Sequence, residues 1–203
     1  IQAYLYQKKE WSPYQEGAFA PALCNRIDRN TGGIVIAAKT AEGLRVMNQK
    51  IRDRELKKYY LCIVHGTLPR PAGRLEGYIL KDEAKKQVTV SSRPRPGAKT
   101  AVTLYETLAV RNGLSLVRCQ LITGRTHQIR AQFAAAGHPL LGDGKYGSER
   151  QNKRYGRSYQ ALYSYRLEFC FTTDAGALAP LDGQQFQVEQ VDFVTEYFPG
   201  FSL

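Results

Sequence analysis

Several runs of this chain alternate between apolar and polar residues, which is the period of β-strands with one buried face. The runs are KKYYLCIVHG at 57–66, AVTLYETLAV at 101–110, LSLVRCQLI at 114–122 and ALYSYRLEFCF at 161–171. Asn112-Gly113 separates the second run from the third, and this dipeptide between alternating runs is a strong signal for a tight hairpin. We therefore expect neighbouring antiparallel strands.

Apolar residues at helical spacing predict a helix over 41–54, with Thr40 as its N-cap. The stripe consists of Leu44, Met47 and Ile51. A second helix is predicted from His127 to Ala136, with Thr126 as the capping residue. A closing helix or extension is expected over 190–198.

The segments between these runs are rich in proline, glycine and charge, which favours loops. We predict an irregular start at 1–23 and a loop at 67–77. A protruding basic arm is predicted at 81–100 and a second basic loop at 149–159. The arm is expected to hold a short strand at Gln87–Ser91, and Ile34–Ala38 a buried strand. Strands outnumber helices and follow one another through hairpins, so we expect an α+β fold with a mixed, mostly antiparallel sheet.

Length and composition fit one domain over residues 1–203. The chain has 203 residues, of which 43% are hydrophobic, and it shows no internal repeat or linker. No run approaches the about 20 apolar residues that span a bilayer, so we expect no membrane partner. The start, IQAYLYQKKEW, lacks a signal pattern and an initiator Met, which indicates a fragment.

The charge balance changes the picture, because 29 Lys and Arg against 18 Asp and Glu give a net charge of +11. A compact basic domain usually meets a polyanion, and nucleic acid is the first candidate. An anionic membrane surface is the second, although no basic amphipathic helix suits it. We expect a monomer, but the sequence leaves the oligomeric state open.

The four cysteines are far apart in sequence and lack the spacing of a metal site or a disulfide framework. Cys62, Cys119 and Cys170 lie in apolar runs and are predicted to be small buried residues. A reducing cytosol is the simplest setting, so we expect a cytoplasmic protein. The three histidines are too scattered to indicate a metal, and we expect none.

Three residue types fit one chemical task. Asp28, between Arg26 and Arg29, is either a loop carboxylate in an ion pair or a catalytic group. Arg125 can orient an anion, and Tyr60 can stack on a nucleobase, although both have ordinary structural explanations. Composition alone does not show that these residues meet.

Three long motifs resemble those of the RluA-type pseudouridine synthases. NRIDRNTGGIVIAAKT is similar to the catalytic motif, KKYYLCIVHG to the second, and GRTHQIRAQFAAAGHPLLGDGKYG to the third. They occur in the family's order, and YQALYSYRLEF resembles a late strand motif that extends the match to about residue 171. Three such motifs in order are highly specific.

The resemblance implies a pseudouridine synthase fold around a basic cleft and isomerisation of uridine in RNA, without metal or organic cofactor. It implies that Asp28 is catalytic, Tyr60 is the active-site tyrosine, and Arg125 pairs with the aspartate. Leu162 falls at an apolar pocket position, and the cations Arg26 and Arg29 are expected to bind substrate. Large-subunit ribosomal RNA is favoured over transfer RNA as the substrate.

The chain departs from the family pattern in a few places. Asn25 stands where histidine is usual, and Gly32 stands where serine is usual. The family's first strand and its Asn-Lys-Pro-x-Gly turn are not visible, nor is the small RNA-binding module that often precedes them. We expect these parts upstream of residue 1.

Two alternatives from other classes remain. One is a non-catalytic RNA-binding module with the same fold, which would be expected to lack Asp28, Tyr60 or Arg125. The other is a carboxylate hydrolase, which usually needs a second carboxylate or a metal. Asp143 is the tempting partner, but its glycine-rich setting favours a turn residue.

Overall fold

Most of the strands join one eight-stranded sheet in the computed structural model, which describes residues 1–15 and 17–203. The strands are β1 Ala22–Leu23, β2 Gly32–Gly33, β3 Ala37–Ala38, β4 Leu56–His65, β5 Ala72–Asp82, β6 Gln87–Ser91, β7 Lys99–Arg111, β8 Leu114–Leu121, β9 Leu162–Phe169 and β10 Gln185–Gln187. The α-helices are α1 Gln2–Gln7, α2 Ala41–Arg52, α3 Gln128–Ala135, α4 Glu149–Tyr155 and α5 Asp192–Tyr197, with a 3-10 helix at Gly176–Leu181.

The sheet has the order β10-β9-β4-β8-β7-β5-β6, and β2 also pairs with β9. All neighbours along this order are antiparallel, whereas β2 runs parallel to β9. The predicted α+β class and mostly antiparallel sheet are confirmed. The hairpin between β7 and β8 is confirmed as well, and its two turn residues, Asn112 and Gly113, have φ of 50° and 74°.

The core lies on both faces of β4, which is why its run from Tyr60 to His65 is continuously buried. On one face Leu61 and Ile63 belong to a cluster that includes helix α5. On the other face Cys62 and Val64 pack in a cluster with helix α3. The two helices thus cover opposite faces of the sheet, and α3 lies on the face that carries Tyr60.

The predicted helix over 41–54 is confirmed as α2, and Thr40 Oγ1 accepts a hydrogen bond of 3.0 Å from Gly43 N. The short strand at Gln87–Ser91 and the closing helix are confirmed as β6 and α5. Cys62 and Cys119 are buried as predicted, with their Sγ atoms 3.7 Å apart. Cys170 is only partly buried, so that expectation was wrong, because it lies just beyond the end of β9.

The expected buried strand at Ile34–Ala38 was wrong. This segment pairs with β9 at β2 and then turns away from the eight-stranded sheet. Its end, β3, pairs with β1 instead, and Val35 between them is 41% exposed. The backbone N–H of Ile36 donates instead to Asn25 Oδ1 over 2.7 Å. A side chain therefore replaces the strand hydrogen bond that the apolar run suggested.

Two predicted loops were wrong. Strand β5 begins at Ala72, within the predicted loop 67–77. It includes Gly73, which pairs with Tyr105 and leaves room for the tyrosine ring, because an added Cβ on Gly73 would lie 2.8 Å from that ring. The second basic loop contains helix α4, which is supported by an ion pair of 2.9 Å between Glu149 and Lys153, one turn apart.

The start of the chain is not wholly irregular, because it forms α1 and β1. The prediction for 1–23 also covers Glu16, which lies outside the described residues. Across the described part of the chain, no helix combines the length and apolar character needed to cross a membrane.

A buried ion pair fastens the end of α2 to the segment after β9. Lys50 Nζ, on a residue only 1% exposed, donates to Glu55 Oε2 over 2.7 Å and to the carbonyl oxygen of Thr173 over 2.6 Å. The hydrogen bond from Lys50 outweighs burial, and with those from Thr173 and Thr172 it lowers the pKa of Glu55 from 4.5 to about 2.

We expect Glu55→Gln to lower the midpoint of thermal unfolding at pH 7, because it leaves Lys50 without its carboxylate. A folded-state pKa below the unfolded value stabilises the fold above pH 4.5 and ceases to do so as the pH falls towards about 2. The difference between the two proteins should therefore shrink over that range.

Glu10→Gln is the matched control, because Glu10 pairs with Lys39 at 2.7 Å but both side chains are 45% or more exposed. Its melting temperature should stay close to that of the unmodified protein. Equal effects of the two substitutions would contradict a special role for the buried pair.

Candidate active site

One cavity of about 240 Å³ brings most of the predicted site residues together. Asp28, Tyr60, Arg125 and Leu162 line it, together with Arg26. Tyr60 and Leu162 are 8% and 5% exposed and contribute apolar surface to the wall. Arg29 is exposed and lies outside this lining.

The turn that carries Asp28 is held by hydrogen bonds from both sides. The backbone N–H of Thr31 donates to the carbonyl oxygen of Asp28 over 3.0 Å. The buried side chain of Gln160 donates to the carbonyl oxygen of Arg29 over 2.6 Å and to Thr31 Oγ1 over 3.3 Å. The backbone that carries the carboxylate is therefore tied to the residues just before β9.

Glycine at position 33 is required by the close approach of this turn to β9. Gly32 and Gly33 pair with Tyr163 and Ser164, and Gly33 has a φ of +111°. An added Cβ on Gly33 would lie 2.1 Å from the carbonyl oxygen of Ser164. Only glycine satisfies both constraints, so this residue fixes how closely the loop of Asp28 approaches the sheet.

The ion-pair partner of Asp28 is Arg130, with 3.4 Å between Arg130 Nη1 and Asp28 Oδ2. The guanidinium of Arg125 donates through Nε to the carbonyl oxygen of Thr100 over 3.0 Å. The expectation that Arg125 pairs with the aspartate was therefore wrong. Arg130 lies on the first turn of α3 and faces inward, whereas Arg125 lies in the loop before it.

Thr126 does not cap α3, contrary to expectation. The N-cap is His127, which has a φ of 52° and makes no capping hydrogen bond with its side chain. Gln128 instead holds the loop before the helix, because its Oε1 accepts from Arg125 N over 3.0 Å and from Thr123 Oγ1 over 2.7 Å. Its side chain also donates to the carbonyl oxygen of Val102, which ties the start of α3 to the sheet.

Asp143 clamps Arg130 from the side away from Asp28. Its carboxylate accepts from Arg130 Nε over 2.7 Å and from Arg130 Nη2 over 2.9 Å. It also accepts from the backbone N–H groups of Lys145 and Tyr146 over 2.9 and 3.1 Å. Asp143 is fully buried, so this bidentate pair fixes the plane of the guanidinium and leaves Nη1 directed at Asp28.

Burial and neighbouring charges shift the pKa values of Arg130 and Asp143 in opposite directions, and that of Tyr60 in the same direction. Burial works against the charge of Arg130, yet the hydrogen bonds and charge of Asp143, followed by those of Asp28, raise the pKa of Arg130. Burial likewise opposes ionisation of Asp143, but Arg130 lowers the pKa of its carboxyl. Burial raises the pKa of Tyr60, and the nearby charge of Asp28 adds to this increase.

His127 links the cavity to the basic arm. It lines the cavity, and its Nδ1 lies 2.7 Å from Tyr146 Oη, which accepts from Val88 N over 2.9 Å. Because Tyr146 Oη already accepts that bond, its own proton is free for His127. Burial lowers the pKa of His127, which favours the neutral ring as acceptor of this bond.

Sequence reasoning missed the positions of Arg130, Asp143, His127 and Lys58 in or around this cavity. The conspicuous signal was the motif GRTHQIR, which contains two arginines and does not show which of them faces Asp28. Within residues 1–15 and 17–203, no group of three or more His, Cys, Asp and Glu side chains is arranged to hold a metal ion.

The chain is similar to curated bacterial proteins. It is 38% identical over 156 residues to an uncharacterized RNA pseudouridine synthase of Mycoplasma genitalium, a match to 74% of this chain and 47% of that protein. It is 31% identical over 181 residues to ribosomal large subunit pseudouridine synthase D of Zymomonas mobilis, covering 89% and 54%. The chain thus spans about half the length of these relatives.

Two solved human structures share the fold. The protein named RNA pseudouridylate synthase domain containing 4 superposes with a TM-score of 0.68 at 23% identity, covering 89% of this chain and 75% of that one. The human protein named RNA pseudouridylate synthase domain containing 1 gives a TM-score of 0.67 at 19% identity. That match covers 87% of this chain and 79% of the human one. These likenesses confirm the expected fold.

The sequence model of one protein family, described as RNA pseudouridylate synthase, matches residues 2–135. That range is well over half of the chain and includes Asp28, Tyr60 and Arg130. It also contains the first two motifs and the start of the third. The chain therefore belongs to the RNA pseudouridylate synthase family, of the RluA type.

Proposed function

We propose that this protein converts uridine in RNA to pseudouridine, its carbon-linked isomer. The observation that carries the proposal is the carboxylate of Asp28 in the wall of a cavity that also presents Tyr60 and Leu162. Membership of the family and the net charge of +11 support RNA as the substrate.

The target uridine has to leave its stack before its ring can enter the cavity, at a cost of a few kcal/mol. The ring of Tyr60 and the side chain of Leu162 then contact the two sides of the uracil. Arg26 lines the same cavity and Arg29 is exposed nearby, so both cations are placed to contact the RNA backbone.

Asp28 acts in its ionised form, either as a nucleophile or as a base at the sugar. The bond between N1 and the sugar breaks, and the uracil turns within the cavity. The bond between C5 and the sugar then forms; it displaces Asp28 where that carboxylate attacked as nucleophile, and where Asp28 acted as base the proton returns to the sugar. C5 loses its proton to the phenolate of Tyr60, and N1 takes up a proton. Arg130, held by Asp143, orients the carboxylate, which is the task that the resemblance gave to Arg125.

Large-subunit ribosomal RNA is the proposed substrate. The printed names of relatives in Zymomonas mobilis and Borreliella burgdorferi, at 31% and 32% identity, are ribosomal large subunit pseudouridine synthase D. Transfer RNA is the alternative. The two pools can be separated and tested side by side.

The geometry favours the synthase over the other two classes. A hydrolase would need a second accessible carboxylate or a metal, and the carboxylate of Asp143 is buried and occupied by Arg130. A binding module has no need for a carboxylate in its pocket, yet Asp28 lines the cavity.

We expect Asp28→Asn to reduce the release of tritium from RNA labelled at uracil C5 by at least about 100-fold, because the amide cannot act as nucleophile or base. Release should come from ribosomal RNA in the unmodified protein. The variant should still bind RNA and melt at a similar temperature. Equal release by the two proteins would contradict the proposed role of this carboxylate.

We expect Tyr60→Phe to slow tritium release by about 100-fold with little change in KM, because the ring remains and the phenolate oxygen that takes the proton from C5 is lost. Tyr60→Leu should also raise KM, because it removes the stacking ring. Since burial raises the pKa of Tyr60, the unmodified enzyme should become faster as the pH rises above neutral.

Tyr59→Phe is the control, because Tyr59 lies next to Tyr60 on the strand but packs against the core on the opposite face. It should keep near-normal kcat and KM. A Tyr60→Phe variant with normal kcat at every pH would show that the hydroxyl takes no part in the reaction.

A further inference from the structure

A second cavity, of about 380 Å³, adjoins the one that holds Asp28. Five residues line both cavities, so the two spaces share a wall. These residues are Ile51, Lys58, Leu121, Gly124 and Arg125. The second cavity extends from this wall past the end of α2, where Arg52 and Arg54 line it.

Lys58 lies in the shared wall with its charge uncompensated. Its side chain makes no ion pair or hydrogen bond with any residue of the described chain, and burial lowers the pKa of its amine. Gly124 lies directly beside it, since an added Cβ there would be in van der Waals contact with Lys58 Nζ at 3.5 Å. A partly buried lysine without a partner is unfavourable unless an anion joins it.

Among residues 1–15 and 17–203, the cations around the second cavity face no carboxylate. Lys58, Arg54, Arg125 and Arg52 line it, and no described Asp or Glu does so. The acidic residues nearest in sequence are engaged elsewhere. Asp53 accepts from Gln49 Nε2 over 2.7 Å, and Glu55 is held by Lys50.

We propose that this second cavity is a phosphate subsite, in which Lys58 and Arg54 bind the RNA backbone phosphate next to the flipped uridine. The inference rests on the proposed function, because it assumes that RNA is the substrate. Arg125 also lines the shared wall, and among the described residues its guanidinium donates a hydrogen bond only through Nε, to Thr100.

This arrangement would position one nucleotide without contacts to the bases of the neighbouring nucleotides. A flipped uridine places its base in the first cavity, and its phosphate has to remain outside, within one nucleotide of the base. Lys58 borders both spaces, so it lies between the base and that phosphate. Phosphate contacts fix the register of the strand and carry no sequence information.

The test measures the affinity of a ten-nucleotide RNA with one central uridine among adenosines as a function of salt concentration, with all variants in the Asp28→Asn background. Each lost phosphate contact on single-stranded RNA should flatten the dependence of log affinity on log salt by about 0.7. We expect this change for Lys58→Gln and for Arg54→Gln. We expect none for Arg45→Gln, an exposed cation on α2 outside both cavities.

A second experiment uses the same oligomer with one phosphate at a time replaced by a neutral methylphosphonate. One position should weaken binding to the Asp28→Asn protein and should have no further effect once Lys58→Gln is also present. Unchanged salt dependence in Lys58→Gln and Arg54→Gln, or an equal change in Arg45→Gln, would overturn the subsite.

The outcomes separate this inference from the proposed function. Tritium release by the unmodified enzyme, with salt dependence unaffected at Lys58 and Arg54, would leave the synthase standing and reject the subsite. Loss of phosphate contacts at these residues, with no tritium released from any RNA, would keep the subsite and reject the reaction.

Discussion

The buried pair between Arg130 and Asp143 is the interaction on which the site depends. Taking both charges out of water is costly, and two hydrogen bonds of 2.7 and 2.9 Å offset that cost only in a fixed geometry. The pair joins the first turn of α3 to the glycine-rich segment that follows it. Because the guanidinium cannot rotate, its remaining edge meets Asp28 in a defined place.

A second constraint brings the carboxylate to that place. The parallel pairing of β2 with β9 requires glycine at position 33, and the side chain of Gln160 secures the turn before it. Tyr60 is presented by β4, which lies beside β9 in the sheet. The turn of Asp28, the segment of Gln160 and the strand of Tyr60 are distant in sequence. They meet because β2 pairs with β9 and β9 pairs with β4.

The two adjoining cavities divide the proposed substrate by chemistry. The first combines apolar side chains with the carboxylate of Asp28 and shares the cations Lys58 and Arg125 with the second, which suits a base and its sugar. The second has four cations and, among the described residues, no acid in its lining, which suits a phosphate. The net charge of +11 is therefore not a diffuse property alone, since part of it is concentrated beside the candidate catalytic residue.

The sequence by itself determined strands β4, β6, β7, β8 and β9, the β7–β8 hairpin, helix α2 and its cap, and the family, because alternation, turn chemistry and motif order are local signals. It did not determine β5, which was expected to be a loop. It did not show that Ile34–Ala38 leaves the sheet or that Arg130, rather than Arg125, meets Asp28. Tertiary structure decided these points. Arg130 is oriented by a carboxylate 13 residues away, and that contact exists only after α3 packs on the sheet.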